Sequence, residues 1–408
     1  MIKKIPATLL RVGMFVHDIN CGWLDHPFLL NQLAITDEKI LHKVLRTGTR
    51  EVYIDTARGL DVESGQPRDE VKSKEQVEHE LLAELHRVIN TAPSEPRHVP
   101  VHEEMVFARA TAKEARKVVT NVMHSLRAGQ QFAMEEVEDV VEQMAESVLR
   151  NPHALFGLTR IRESDHYTFE HSVSVAVFML AFARELQLDE KVVRELGVGA
   201  LLHDVGKTRV PLNILNKPAR LTEDEFAVVR EHVRFGREML EEHGGLSSIA
   251  LAVVSEHHER YDGNGYPNGL KGDEISLFGQ MAAIVDVYDA NTADRCYHQA
   301  EIPTRVLSQL LDWGAHFNMQ LVHRFIRSVG IWPVGTLVSL TNGWLGVIIE
   351  QGEHDLLHPK VRAIFDANAQ LFLRPRDFDL SDAAVRDELA IVGAVPEKVW
   401  GLRATDYL

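Results

Sequence analysis

The chain has few of the features that would place it in a membrane, in an oxidising compartment or on a nucleic-acid polymer. It contains only two cysteines, Cys21 and Cys296, too few and too far apart for a disulfide framework. No uninterrupted apolar run approaches the roughly 20 residues of a membrane span, and the N-terminus lacks a signal-like apolar core with a cleavage site. Its 44 basic residues are outnumbered by 60 acidic ones, and the net charge of −16 argues against broad nucleic-acid binding. We therefore expect a cytoplasmic protein without a membrane span.

The composition is that of an ordinary globular chain. With 408 residues, 45% hydrophobic and 25% charged, two or three domains are expected. Changes of pattern divide the chain into a small α+β domain at 1–62, a charged, proline-containing linker with helices at 63–150, a helical segment at 151–330 and a β-rich extension at 331–408.

The first segment, 1–62, carries no metal or phosphate motif. Strands are predicted at 10–16 and 51–56, and a helix at 37–48. Residues 1–62 could form a regulatory module or a packing module without a ligand, and the sequence does not decide between the two. A helix could follow at 77–89, and three prolines at 91–100 indicate a linker or loop.

Two further helices are predicted at 103–127 and 134–149 from apolar residues at helical spacing. Packing within the chain is the expected use of these helices, and a homodimer surface is the alternative.

Seven side chains of metal-ligand type punctuate apolar segments in the third domain. The segments 192–206 and 249–258 are apolar almost all round, which predicts buried helices, and each carries two adjacent ligand-type residues at or near its end. A lone histidine on an apolar helix is usually a hydrogen-bonded core residue, but a charged aspartate there is costly unless paired or bound to metal. Because histidine and aspartate ligate divalent metals, the set predicts a metal site. Its members are His171, His203, Asp204, His232, His257, His258 and Asp286.

Helical spacing suggests how these groups could meet. Adjacent side chains such as His203 and Asp204 leave a helix about 100° apart, so they can meet two neighbouring metals, or the carboxylate can bridge them. Lys207 lies one turn further, on the same side. Thr222 as N-cap, with Glu225 at the third helical position, predicts a helix that presents His232.

The remainder of the chain supplies a loop, two helices and a small sheet. Four glycines in the loop 259–273 let the backbone approach a ligand closely, although a tight surface turn is the simpler reading. Helices are predicted at 303–313 and 317–329. The strands 335–340 and 345–350 flank Asn342-Gly343, which predicts a hairpin, and further strands are predicted at 360–367 and 370–375.

These motifs resemble those of the HD-GYP phosphodiesterases, a family of the HD hydrolase superfamily. The likeness covers about 151–330, and residues 1–62 resemble the small domain often found ahead of HD-GYP domains. It implies a mainly α protein: an all-helical HD-type catalytic domain, a small α+β N-terminal domain and a short β-rich C-terminal extension. In chain order the matching residues are His203-Asp204 with Gly206-Lys207, 215–226 ahead of His232, 257–275 and 285–297.

The resemblance also implies the activity, the cofactors and the partners. The activity is hydrolysis of cyclic di-GMP to pGpG, with possible continuation to GMP, by a hydroxide that bridges two metals. One metal is assigned to His171, His203 and Asp286, the other to His232, His257 and His258, with Asp204 as the bridge and a catalytic residue. The mixed ligand set suits iron or manganese better than magnesium. The substrate-contacting positions are Lys207, which is also assigned a catalytic role, Arg295, Tyr266, Pro267 and His298; Tyr266 and Pro267 could also meet other cyclic di-GMP signalling proteins.

Two positions depart from the family pattern. His298 stands where a lysine is frequent, which weakens one expected phosphate contact. Tyr167 stands one turn before His171, where relatives with a third ion carry glutamate, so two ions are expected. The alternatives are another HD-superfamily nucleotide phosphohydrolase and a low-activity cyclic di-GMP receptor.

Overall fold

The computed structural model of the chain describes residues 2–18, 33–45, 51–62, 66–67, 99–159, 167–217, 219, 221–293, 300–352 and 356–408. Contacts divide the chain into two compact units, Met1–Val77 with Arg220–Glu223, and Glu78–Ala219 with Asp224–Leu408. The expected fold class, mainly helical with small sheets towards both termini, is confirmed. Among the described residues, no helix combines the length and apolar character needed to span a bilayer.

The first unit is a small antiparallel sheet with one helix. Its strand order is β3-β2-β4-β1-β5, and β1 pairs with β4 along its whole length, from Ile2 opposite Asp55 to Pro6 opposite Glu51. Inward residues of β1, β2 and β4 form the core with Leu41 and Val44 of the helix. The elements are β1 Ile2–Pro6, β2 Phe15–Asp18, β3 Leu33–Ala34, α1 Glu38–Leu45, β4 Glu51–Asp55 and β5 Gln66–Pro67.

The second unit is built on helices that share one continuous apolar core. Its helices are α2 Val101–Arg127, α3 Met134–Arg150, α4 Pro152–Thr159, α5 Tyr167–Glu185, α6 Glu190–Leu202, α7 Leu212–Leu215, α8 Glu223–Arg230, α9 His232–His243, α10 Ser248–Glu256, α11 Leu277–Thr292, α12 Pro303–Asp312 and α13 Met319–Val329. The apolar stripes predicted for α2 and α3 are buried in this core, so packing within the chain accounts for them.

Four helices of this unit, α5, α6, α10 and α11, pack against one another around the predicted ligands. A short 3-10 turn, Val205–Arg209, follows α6 and packs on α9. Gly206 permits this contact, because a Cβ there would lie 1.9 Å from the carbonyl oxygen of His232. The close approach brings the His203-Asp204 pair next to His232.

The C-terminal residues form a second antiparallel sheet, as predicted. Its order is β10-β6-β7-β8-β9, and the predicted hairpin pairs Leu337 with Val347 and Ser339 with Leu345. One face of this sheet enters the helical core through Val338, Ile348 and Val361. The remaining elements are β6 Leu337–Leu340, β7 Trp344–Glu350, β8 Lys360–Asp366, β9 Leu371–Asp379, α14 Ala383–Arg386, β10 Ile391–Ala394 and α15 Glu397–Trp400.

Several predicted element limits were wrong. The strand predicted at 10–16 begins only at Phe15, and β10 was not predicted. The helix predicted over 192–206 ends at Leu202. The helix predicted to present His232 ends at Arg230, and His232 begins the next helix.

Other predictions lie outside the described residues or remain untested. The helix predicted at 77–89 and most of the predicted linker 91–100 lie outside them. The domain boundaries at residues 62 and 150 stay predictions.

Candidate metal centre

All seven predicted ligands converge at one buried place in the helical unit. Six of them are at most 4% exposed, and the seventh, His258, is 14% exposed. Their ligand atoms form three overlapping groups, each with all its atoms within 4.8 Å of one another. The groups are His171, His203 and Asp286; His232, His257 and His258; and His203, Asp204 and His257.

Three of the histidines lie one or two residues after the end of a helix, and this placement fixes their ring protons. The last carbonyls of a helix lack an intrahelical partner, and each of these rings donates through Nδ1 to the carbonyl three residues earlier. The distances are 2.7 Å from His203 to Ala200, 2.7 Å from His232 to Val229 and 2.9 Å from His257 to Val254. Because a carbonyl only accepts, Nδ1 carries the proton and Nε2 of the neutral ring presents a lone pair to the site.

His171 is held differently, because it lies inside α5 rather than at a helix end. Its Nδ1 is 2.7 Å from Oδ2 of Asp289, and its Nε2 is 3.0 Å from Oδ1 of Asp286. Both aspartates belong to α11 and are one turn apart, on the same face. Sequence reasoning missed Asp289, although its spacing from Asp286 was a readable signal.

Asp204 lies between the two outer histidine groups. Its Oδ1 is 3.4 Å from Nε2 of His232, whereas its Oδ2 is 3.4 Å from Nε2 of His203 and 3.7 Å from Nε2 of His171. One carboxylate oxygen therefore faces each side. Asp286 behaves similarly, since its Oδ2 is 3.6 Å from Nδ1 of His258.

The arrangement of buried polar atoms fits divalent cations. Nε2 of His203 and Oδ1 of Asp204 are buried, and neither has a hydrogen-bond partner among the described residues. Nε2 of His232 lies 3.4 Å from Nε2 of His257, so two lone pairs face each other when both rings are neutral. Buried acceptors without donors are costly, and cations shared among them would satisfy these atoms.

The pKa values favour the protonation states that metal ligation requires for most of these groups. Burial lowers the pKa of His232 to about 4 and that of His257 to about 3. Burial opposes ionisation of Asp204, but Lys207 and His203 together hold the pKa of that carboxyl well below its usual range. For His171, burial lowers the pKa, and the hydrogen bonds to Asp286 and Asp289 more than reverse this, so its pKa is raised.

Lys207 contacts one of the predicted ligands, Asp204, and its side chain is partly exposed to solvent. Its Nζ donates to Oδ2 of Asp204 over 2.5 Å, and its side chain is 21% exposed. The two residues are three apart across the 3-10 turn, where side chains at that spacing are eclipsed. The expectation that Lys207 lies on the Asp204 side of the turn is therefore met by a 3-10 turn rather than by the predicted α-helix.

The glycine-rich loop covers the site from one side. The Tyr266 ring stacks on the His258 ring, with 4.6 Å between centroids. The guanidinium of Arg230, the last residue of α8, lies 4.4 Å from the Tyr266 centroid. Burial raises the pKa of the Tyr266 phenol, so the ring is a neutral hydrogen-bonding group. Pro267 is exposed.

A buried carboxylate anchors this loop. Glu259 is 0% exposed, and its two oxygens accept the backbone N–H groups of Asn268 at 2.8 Å and Leu270 at 3.0 Å. The Glu259 anchor and the Arg230 contact were not predicted from the sequence. The predicted phosphate contacts Arg295 and His298 lie outside the described residues.

Comparison with known proteins gives matches over the whole chain. Residues 2–137 match the family model described as a domain of unknown function, DUF3391, and residues 139–319 match the model described as an HD domain. A cyclic di-GMP phosphodiesterase of Pseudomonas aeruginosa is 39% identical over 100% of this chain and 95% of its own length.

Two relatives from Vibrio cholerae match a shorter part. A cyclic di-GMP phosphodiesterase is 35% identical over 42% of this chain and 38% of its own length. A 3'3'-cGAMP-specific phosphodiesterase is 36% identical over 39% of this chain and 31% of its own length.

Proposed function

Because the chain belongs to the HD-GYP family of cyclic di-GMP phosphodiesterases, with a DUF3391 domain ahead of the HD domain, we propose that it hydrolyses cyclic di-GMP. It is a metal-dependent phosphodiesterase that opens the cyclic dinucleotide to pGpG. The observation that carries the proposal is the similarity to the Pseudomonas enzyme over both full lengths, in a chain whose seven ligand-type residues meet at one buried place.

The proposed ligand assignment follows the geometry of the groups. His171, His203 and Asp286 would hold one divalent ion, and His232, His257 and His258 a second, with one oxygen of Asp204 directed at each side. Two such ions, when bound, would neutralise charge on the phosphoryl oxygens and acidify a water molecule. The mixture of imidazole and carboxylate ligands favours iron or manganese.

The remaining residues of the site bind and orient the nucleotide. Lys207 is anchored by Asp204 yet partly exposed, so its ammonium can approach a phosphate or the leaving oxygen. Tyr266 offers a neutral aromatic face at the edge of the site, next to His258, on which a guanine can stack. Continuation of hydrolysis to GMP, partner proteins at the loop and a homodimer stay predictions.

The decisive test measures metal content and turnover on the same sample. Protein purified without oxygen should contain a transition metal and convert cyclic di-GMP to pGpG, faster than it converts 3'3'-cGAMP. Asp204→Ala should lose metal and turnover together while the circular dichroism spectrum stays helical. Full metal content and normal turnover in Asp204→Ala would refute the site, and metal-replete wild-type protein that binds but does not cleave the dinucleotide would refute the activity.

A further inference from the structure

The histidines of the site differ in the partner that fixes their Nδ1 proton. His203, His232 and His257 donate to neutral main-chain carbonyls that the end of a helix leaves free. His171 lies within the first turns of the 19-residue helix α5 and not after a helix end. Its Nδ1 instead meets the carboxylate of Asp289 from α11, 118 residues away in sequence.

Asp289 is a fully buried carboxylate, 0% exposed, with Oδ2 2.7 Å from Nδ1 of His171. It contacts the side of the imidazole ring opposite Nε2, and it is absent from the three groups of candidate ligands. Asp289 therefore acts through His171 and not as a ligand. Together with Asp286, which faces Nε2 at 3.0 Å, it lets one face of α11 fix both nitrogens of the ring.

The negative charge of Asp289 affects His171 in a way that a neutral carbonyl would not. A carboxylate acceptor makes a stronger hydrogen bond than a neutral oxygen, and it raises the basicity of the opposite ring nitrogen towards a metal. A buried negative charge also has to be balanced nearby. A cation at Nε2 of His171 would help to balance Asp289 through the ring, whereas the three carbonyl-bound histidines have no carboxylate at Nδ1.

We propose that Asp289 is the positioning residue for His171, and that its charge makes the cation position of His171, His203 and Asp286 the tighter of the two. This position would fill first as metal is added. The inference rests on the metal centre of the proposed function and not on the identity of the nucleotide.

The test is a Mn²⁺ titration of the metal-stripped full chain in two backgrounds. His232→Ala leaves only the His171 side intact, and His171→Ala leaves only the His232 side. Asp289→Asn, which keeps the shape and an acceptor oxygen but removes the charge, should weaken Mn²⁺ binding about 10–100-fold in the first background and leave it unchanged in the second. Equal weakening in both backgrounds, or no weakening in the first, would overturn the proposal.

A matched control separates this effect from general damage to the core. Glu104 is also a buried carboxylate of the helical unit, at 1% exposure, but it is bound to Ser147 and Arg150. Glu104→Gln should leave both Mn²⁺ affinities unchanged. If Glu104→Gln shifts the affinities as much as Asp289→Asn does, the Asp289 effect is merely structural and the proposal falls.

A second measurement needs no Asp289 variant. In zinc-loaded wild-type protein with ¹⁵N-labelled histidine, the resonance that disappears in His171→Ala should show a proton on Nδ1, shifted far downfield by the carboxylate. A His171 ring protonated on Nε2 instead would overturn the proposal. Unequal Mn²⁺ affinities without any cleavage of cyclic di-GMP would refute the proposed function and leave this inference standing.

Discussion

At the scale of single residues, Asp204 is where the two sides of the site meet. Its Oδ1 faces His232, and its Oδ2 faces His203 and also accepts the ammonium of Lys207. The carboxylate of Asp204 can therefore interact with a cation on each side of the site and with the ammonium of Lys207 at the same time. Lys207 holds Asp204 in its orientation and still reaches solvent, so it can serve the substrate without serving as a ligand.

Lys207→Ala should therefore keep the metal and lose the rate. A positioned acid or charge contributes roughly 10²–10⁴-fold in such sites, so we expect kcat to fall by that factor at unchanged metal content. The measurements are metal analysis and steady-state turnover of cyclic di-GMP. Lys117→Ala is the matched control, since Lys117 makes the same lysine–carboxylate contact at a three-residue spacing, with Glu114 on the surface. Normal turnover in metal-loaded Lys207→Ala would remove the role proposed for this side chain.

The residue types of the site could be predicted from the sequence, but the partners of these residues could not. Histidines and aspartates at the ends of apolar segments indicated a shared metal site, and the structure brings them together. Asp289 was missed because its role depends on packing against a histidine 118 positions away. Glu259 was missed because a carboxylate that accepts two loop amides has no motif of its own.

At the scale of the elements, helix ends organise the site. The helices α6, α8 and α10 each end one or two residues before a histidine, and a carbonyl in the last turn of each helix accepts the Nδ1 proton of that histidine. The negative end of a helix dipole also favours cations, so three such ends stabilise positive charge at one place. Apolar runs predicted α6 and α10, and the capping residues Thr222 and Glu225 predicted α8, but the last residues of these helices are set by packing and by hydrogen bonds that sequence spacing does not show.

The loop after His258 is a second element whose position depends on one side chain. In Glu259→Gln, the amide would place a donor against one of the two N–H groups that the carboxylate now accepts. A hydrogen bond to a charged group contributes about 1.5–3 kcal/mol, so the loop should loosen and Tyr266 should lose its fixed position on His258. We expect faster tryptic cleavage after Arg260 and Lys271, and a higher KM with a smaller change in kcat.

The control for this loop variant is another glutamate of the same segment. Glu274 is exposed, and among the described residues it accepts only the N–H of Lys271, so Glu274→Gln should leave both KM and the rate of proteolysis almost unchanged. If Glu259→Gln behaves like Glu274→Gln, the loop is held by something other than the buried carboxylate.

At the scale of the whole molecule, the number of ions is set by which carboxylates reach the site. Tyr167 stands four positions before His171 in the sequence, so the residue type there is neutral where a hard dication would need a carboxylate. Glu170 is buried, but its Oε1 lies 3.9 Å from Nε of Arg116 on α2. We therefore expect two ions per chain, counted by anomalous scattering from crystals of the unmodified protein. Three fully occupied ions would contradict this expectation, and Tyr167→Glu is the variant that should gain a third.

The metal-stripped protein should lose stability as the pH falls from about 7 towards 4. The folded site keeps His232 and His257 neutral, with pKa values of about 4 and 3, whereas the unfolded chain takes up these protons near the ordinary value of 6.5. Between these values the unfolded state binds more protons, so acid favours unfolding. His171 opposes this trend, since its raised pKa gives stability that is present below 6.5 and lost as the pH rises.

Whether acid stabilises or destabilises the folded protein depends on the balance between these groups. His258 also has a pKa well below 6.5 because of burial, so three histidines that resist protonation outweigh one that favours it. Asp204 and Asp286 have lowered pKa values, and their contributions are lost only below the ordinary value of 3.8, outside this window. The urea midpoint, followed by far-ultraviolet circular dichroism, should fall from pH 7 to pH 5, and less so in His257→Asn. The exposed His102 supplies the control, since His102→Gln should leave the pH dependence unchanged. A midpoint that stays constant or rises with acid would mean that the three buried rings are not held neutral in the folded protein.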